Sequence, residues 1–178
     1  MAEKHAVIRT DKMFGTDDRV GVYSLKYYEM DEDDQLVPAD LDNGHVVKLN
    51  KLLDGERELY EAVAPTGSED LADVVIVASP ELNYDERLHS LDDFYNKADR
   101  PARGYTFHKN QIFSVTKDAL AGKEKPAKGD VVELAAGTKL NVAASATSGK
   151  TQVGYIADVE QVGRFLYYVI EVRNGANA

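Results

Sequence analysis

Residues 141–159 read NVAASATSGKTQVGYIADV, and the class of fold depends on what the SGKT within it, Ser148 to Thr151, does. Gly-Lys-Thr closes a phosphate-binding P-loop, whose full pattern is G-x-x-x-x-G-K-[ST] between a buried strand and a helix. Ala144 stands where the first glycine belongs. After Thr151, Val153, Tyr155, Ala157 and Val159 alternate with Gln152, Gly154, Ile156 and Asp158, the period of a strand. A P-loop lysine opens a helix, so that backbone amides and the helix dipole face the phosphate. The small and polar residues of ATSGKT suit a turn between two strands instead. Lys150 is then a solvated turn residue, and no nucleotide binding is expected.

The next run outward is RFLYYVIEV, residues 164–172, the most strand-like in the chain. Phe165, Tyr167, Val169 and Glu171 share one face, and Leu166, Tyr168, Ile170 and Val172 share the other, more apolar one, which is assigned to the core. With DVVEL, TKLNVAA and GYIADVEQV it makes four strand candidates separated by short turns. This spacing predicts a small barrel or sandwich. The fold class expected is therefore mainly β, with that barrel or sandwich in the C-terminal part and a β-rich N-terminal part.

The N-terminal part holds strand candidates in KHAVIRTD, VGVYSLKYYEM, HVVKLNKLL and LYEAVAP. LADVVIVAS is a compact apolar run and reads as a central strand. One helix is expected around residues 84–98, where Leu88, Leu91 and Tyr95 recur at helical spacing. Pro101 stops it by disfavouring helical backbone at Arg100. GYTFHKNQIFSV holds two short extended runs about a Lys109-Asn110 turn. TKDAL suits one helical turn capped by Thr116 and ended by Gly122. ADRPARG marks a boundary, giving an N-terminal lobe over 1–100, a C-terminal barrel lobe over 101–174 and a tail over 175–178. The first strand can pair with the C-terminal lobe and make the two one unit.

The chain has 178 residues, is 43% hydrophobic and contains no cysteine. It can therefore build a core, and disulfides and thiolate metal sites are excluded. No apolar run is long enough to cross a bilayer, and MAEKHAVIRTDK is too polar for a secretory signal. A formal charge of −10 argues against nonspecific nucleic-acid binding, which needs clustered Lys and Arg. The acid is uneven. Residues 11–44 hold ten acids (Asp11, Asp17, Asp18, Glu29, Asp31, Glu32, Asp33, Asp34, Asp40 and Asp42) against Lys12, Arg19 and Lys26, a local net of −7. Residues between Asp31 and Asp42 are expected in an exposed loop. Such a run is either solvated surface or a face for a basic partner.

The motifs of chemistry are incomplete. His5, His45, His89 and His108 show no metal-ligand spacing and no H-E-x-x-H. DLDNG fails the calcium-loop pattern, since Gly44 falls where a ligand should be. No G-x-S-x-G elbow is present, and Lys128-Gly129-Asp130 fits the turn entering a strand. No catalytic residue, cofactor or metal is assigned. Tyr27-Tyr28 and Tyr167-Tyr168 each place one ring on either face of a strand. One ring of each pair joins the core, and its neighbour either packs at an edge or meets another subunit. The candidate interface residues are Asp31, Glu32, Asp33, Asp34, Tyr27, Tyr28 and Tyr167.

Several stretches, KHAVIRTDKM, LDNGHVVKLNKLLDGERELYEAVAP, VIVASPELNYDER, ARGYTFHKNQIFSVTKDAL, KGDVVELAAGTKLNV and TQVGYIADVEQVGRFLYYVIEV, taken in this order, resemble structural proteins of the heads of tailed phages that infect Gram-positive bacteria. The likeness is one of texture and order over most of the chain. It carries no catalytic motif, transfers no functional residue and leaves the DEDD insertion unmatched. It implies a capsid decoration, or cement, protein on the outside of the virion, made in the host cytoplasm. Its partners would be the major capsid protein and copies of itself, with no nucleic acid and no membrane. The other expectations are a tail or neck component, or a small carbohydrate-binding module or hydrolase with a groove of Tyr and Asp.

Overall fold

The computed structural model describes residues 5–9, 21–82 and 90–175. It is mainly β, as expected, and is built of two sheets. The first contains β1 (Val22–Met30), β2 (Leu36–Pro38), β3 (Val46–Leu52), β4 (Leu59–Val63), β5 (Val74–Val77) and β6 (Ala102–Thr106). Neighbours run β1-β4-β3-β5-β6, and β6 returns to β1, so five strands close a barrel. The β1–β4 pair is parallel, and β2 pairs with the far end of β1.

Alternation writes this barrel into β1. Tyr23, Leu25 and Tyr27 turn to its interior cluster, and Val22, Ser24 and Lys26 turn out. β5 explains the compact apolar run. Val75 and Val77 pack inside the barrel, while Val74 and Ile76 pack in a second core on its outer side. A strand covered on both faces has no place for polar residues. The interior is narrow. A Cβ on Gly104 of β6 would lie 2.6 Å from Val75 Cγ2 and 2.8 Å from Leu25 Cδ2, so only glycine fits there.

The second sheet contains β7 (Ile112–Val115), β8 (Leu120–Gly122), β9 (Val131–Glu133), β10 (Leu140–Ala143), β11 (Gln152–Val162) and β12 (Phe165–Val172), ordered β7-β12-β11-β9-β10-β8. It forms a half-barrel, open between β7 and β8. Ring closure thus belongs to the N-terminal sheet. Irregular register in β11, between Gln152 and Gly154 and between Ile156 and Asp158, bends the half-barrel, because a bulge adds local twist. Its concave side covers the outer face of β3 and β5. Val46, Val74 and Ile76 share one core with Phe113, Val132, Leu140 and Ile156.

The two sheets exchange segments across residue 100. β6 belongs to the first sheet, and residues 5–9 run along β7 of the second, with Arg9 N donating to Ser114 O at 2.9 Å and Thr116 N to Val7 O at 2.9 Å. Asn110, at φ 70°, turns the chain as expected. The runs it joins, β6 and β7, lie in different sheets, so the turn is a corner between layers.

The helix expected around 84–98 falls partly on residues 83–89, outside the described ones. From residue 90 onward the chain makes only a 3-10 turn, Leu91–Asp93. Asn96 then bridges to Leu41, exchanging backbone bonds of 2.8 and 2.9 Å. That pairing demands extended backbone and overrides the helical spacing of Leu91 and Tyr95. The helical turn expected at TKDAL is a 3-10 turn, Lys117–Ala119. Thr116 does not cap it, because its hydroxyl oxygen accepts from Val7 N at 3.1 Å. Gly122 ends a strand, at φ 78°.

Candidate functional site

SGKT lies in the turn between β10 and β11, where Lys150 N donates to Thr147 O at 3.3 Å and Gly149 has φ 80°. The turn folds over Glu133, which is fully buried. The Glu133 carboxylate accepts from Asn141 Nδ2 at 2.8 Å and from Thr147 N at 2.9 Å, and Lys150 Nζ lies 4.0 Å away. Burial pushes this carboxyl up, but its donors outweigh burial and hold it below the usual range. Lys150 therefore answers a carboxylate of its own chain and opens no helix. Asp130 of the Lys-Gly-Asp tripeptide is likewise turned inward, bonded to Lys123 Nζ at 2.8 Å and Ala127 N at 2.7 Å.

DLDNG, residues 40–44, is a junction that the sequence did not announce. Asp40 accepts from Ala98 N at 2.7 Å. Asp42 accepts from Ala6 N at 3.0 Å and pairs with His5 Nδ1 at 2.8 Å. The buried Asn43 amide exchanges two bonds of 2.9 Å with the backbone of Ser79, and its Oδ1 also receives Asn96 Nδ2 at 3.1 Å. Three segments distant in sequence are tied at this point. His45 follows, 8% exposed, with Nδ1 facing the Thr138 hydroxyl at 3.0 Å and Nε2 without a partner. Burial lowers it to about 4, against partial opposition from Asp42. The other histidines have separate partners. His5 stacks on Tyr95 at 4.5 Å and His108 faces the Thr106 hydroxyl at 2.8 Å; His89 lies outside the described residues. Among the described residues no group of three His, Asp or Glu side chains is arranged to hold a metal.

DEDD, residues 31–34, is built differently. The loop expected from Asp31 to Asp42 is a hairpin tip followed by β2 and the junction. Asp31 N donates to Gln35 O at 2.9 Å. The Asp31 carboxylate accepts from Asp33 N at 2.9 Å and Gln35 N at 2.8 Å, so it holds the turn. Asp34 takes φ 56°, a conformation that Asp tolerates better than most residues. Glu32, Asp33 and Asp34 are exposed around this turn. The register Met30↔Leu36 and Tyr28↔Pro38 puts Tyr28, Met30 and Leu36 on one face of the arm. Met30 is 64% exposed and Leu36 39%.

The tyrosines divide. Tyr28 is half-buried on that arm and remains an interface candidate. Tyr27 is buried inside the barrel and donates to Glu29 at 2.9 Å, and burial with this bond pushes its phenol up. Tyr167 is buried too, which corrects its assignment to an interface. It lies under the Arg9 guanidinium, 5.8 Å from the ring centroid, and beside Phe165 at 6.0 Å. Residues 5–9 bring that cover. On the opposite face Tyr168, Ile170 and Val172 form core as expected, but Leu166 is 43% exposed. The β11–β12 hairpin runs past the core there, presenting Leu166 and Val159 on one side and Val162 on the other.

One cleft of about 730 Å³ lies beside residues 93–103, within the roughly 300–1,000 Å³ of ligand-sized clefts. Phe94 and Tyr95 line it, with Lys97, Arg100 and Arg103 at its rim. Among the described residues the three cations make no ion pair, and Asp93 also lines the cleft. The signal in the sequence was KADRPAR, three bases in seven residues of an acidic chain. The chain matches no protein-family model, no curated protein and no solved structure.

Proposed function

We propose that this chain is a non-enzymatic structural protein of a tailed-phage virion, a decoration protein that binds the outside of the capsid and stabilises it. The observation that carries the proposal is the pair of projecting hairpins. One exposes Met30, Leu36 and Val37, and the other exposes Val159, Val162 and Leu166. Exposed apolar side chains gathered at the ends of rigid strands suit contact with another protein. The likeness of the sequence to head proteins supplies the identity of that partner, the major capsid protein. The buried Asp130, Glu133 and Asn43 hold turns and junctions. A decoration protein works by adding contact area across seams between capsomers, so that opening the shell requires breaking those contacts as well.

In this reading Val37 on one hairpin and Val159, Val162 and Leu166 on the other carry the affinity for the shell, and the acidic tip Glu32-Asp33-Asp34 speeds and orients arrival. The test is to mix the purified chain with expanded tailed-phage heads prepared without it. Co-sedimentation in fixed ratio to capsomers, density on the outer surface in electron micrographs, and heads that resist heat longer are expected. Density confined to the neck or tail assigns the chain to another virion component. Absence of co-sedimentation refutes the proposal.

A further inference from the structure

We infer that copies of this chain join head to tail, the acidic β1–β2 tip of one seating in the cationic cleft of the next. Two unmatched features of the surface motivate this. The tip ends in the exposed acids Glu32, Asp33 and Asp34. The cleft is rimmed by Lys97, Arg100 and Arg103, which make no ion pair among the described residues; Asp93 also lines it, and Asp99 beside Arg100 is held by Lys26. In a chain of net charge −10, three cations against the single acid Asp93 among the described lining residues make a surface that attracts an acidic segment at short range. Behind the charges, the match continues in apolar contact. Tyr28, Met30 and Leu36 share the face of the arm below the tip, and Phe94 and Tyr95 form the wall below the rim.

A chain cannot make this contact with itself. Ser24 of β1 lines the cleft, and the tip begins at Asp31 on the far end of the same strand. At about 3.3 Å per residue they lie roughly 20 Å apart along a rigid strand. Donor and acceptor surfaces at opposite ends make a heterologous contact, which closes into a ring when its rotation permits. On a shell, an arriving copy would meet the cleft of a copy already bound, which gives the charge on the tip its counter-charge. The contact itself needs no shell, so its failure and that of the capsid proposal are separately visible.

Sedimentation velocity over a range of protein concentrations tests it. The wild-type chain is expected to form heavier species reversibly, less so as salt rises. A tip variant (Glu32→Lys, Asp33→Lys, Asp34→Lys) and a cleft variant (Lys97→Glu, Arg100→Glu, Arg103→Glu) should each associate at least about tenfold more weakly. An equimolar mixture of the two variants should regain the heavier species, since each then offers one matched pair of surfaces. The tip variant carries −4 in place of −10, two units for each of three reversals. If general repulsion governed association, that variant would associate more strongly than wild type. The single exchange Asp33→Lys with Arg100→Glu repeats the test with minimal change to the fold. A wild type monomeric at every concentration, a reversed variant that associates like wild type, or a mixture of folded variants that stays monomeric overturns the inference.

Discussion

DEDD at 31–34 and DLDNG at 40–44 lie a few residues apart and look alike as text, both short, acidic and turn-forming. In the fold they are opposites. The second is consumed within the chain, its Asp40, Asp42 and Asn43 bonding to residues 98, 5–6, 79 and 96. The first spends Asp31 on its own turn and leaves three acids exposed. The difference lies in what the neighbouring residues do. Gly44, at φ 82°, donates to Val77 O at 2.7 Å and turns its segment under the sheet, while β2 lies at the edge of the sheet with all three residues exposed. An acidic run therefore gains meaning only with the backbone that carries it.

Breaking the inner member should be costly. Asn43→Ala removes the partners of Ser79 N and O, while Asn96 Nδ2 keeps its bond to Leu41 O. Buried polar groups left unpaired cost about 1–3 kcal/mol each, so a loss of roughly 4 kcal/mol in urea unfolding is expected. A loss under about 1 kcal/mol would mean that water replaces the amide without penalty.

Next in size is the acid response of His45. Its folded-state value of about 4 lies below the ordinary 6.5. Between these values the unfolded chain takes up a proton that the folded chain refuses, so stability falls as pH drops from 6.5 to 4. The full effect is about 3 kcal/mol. Glu69 acts in a lower window. Burial opposes ionisation there, but bonds from Thr66 and Gly67 hold it down at about 2. Its stabilisation is present above 4.5 and is lost as pH falls toward 2. The unfolding midpoint measured against pH should fall between 6.5 and 4.5 in wild type and stay level there in His45→Gln. A slope that survives the substitution would assign the effect elsewhere.

A smaller loss is expected from Asp42→Asn, which weakens the hold on His5 and Ala6. The carboxylate is partly exposed, so about 1 kcal/mol is expected. Because residues 5–9 cover Tyr167 from the side of Arg9, proteolysis near the N-terminus should quicken at the same time. Unchanged proteolysis would detach that segment from the junction.

The sequence made the strands legible wherever one strand decided its own burial. LADVVIVAS read as a central strand and is covered on both faces, and Ile170, assigned to the core, is buried there. What stayed hidden depended on partners distant in the chain. The helical spacing of Leu91 and Tyr95 lost to a bridge from Leu41, and the Lys109-Asn110 turn did not tell that the two runs it joins enter different sheets, because nothing local separates one sheet from two. Tyr167 read as an outward ring because the segment that covers it lies at the other end of the sequence. At the tip, the exposure of Glu32, Asp33 and Asp34 was legible from local pattern alone. The cationic cleft was visible only as a cluster of bases in KADRPAR, with no sign of the aromatic wall behind it.

The smallest effect on folding and the largest on function are expected together at the outer member. Neutralising Glu32, Asp33 and Asp34 (to Gln, Asn and Asn) should change folding stability by no more than about 0.5 kcal/mol, since no core contact is touched. The decisive measurement is the rate at which this variant and the wild type associate with decorated-protein-free heads across a range of salt. Slower association of the variant at low salt and a flatter dependence on salt are expected, with the two rates converging as salt rises. Equal rates at every salt concentration would contradict this and leave the tip as solvated surface.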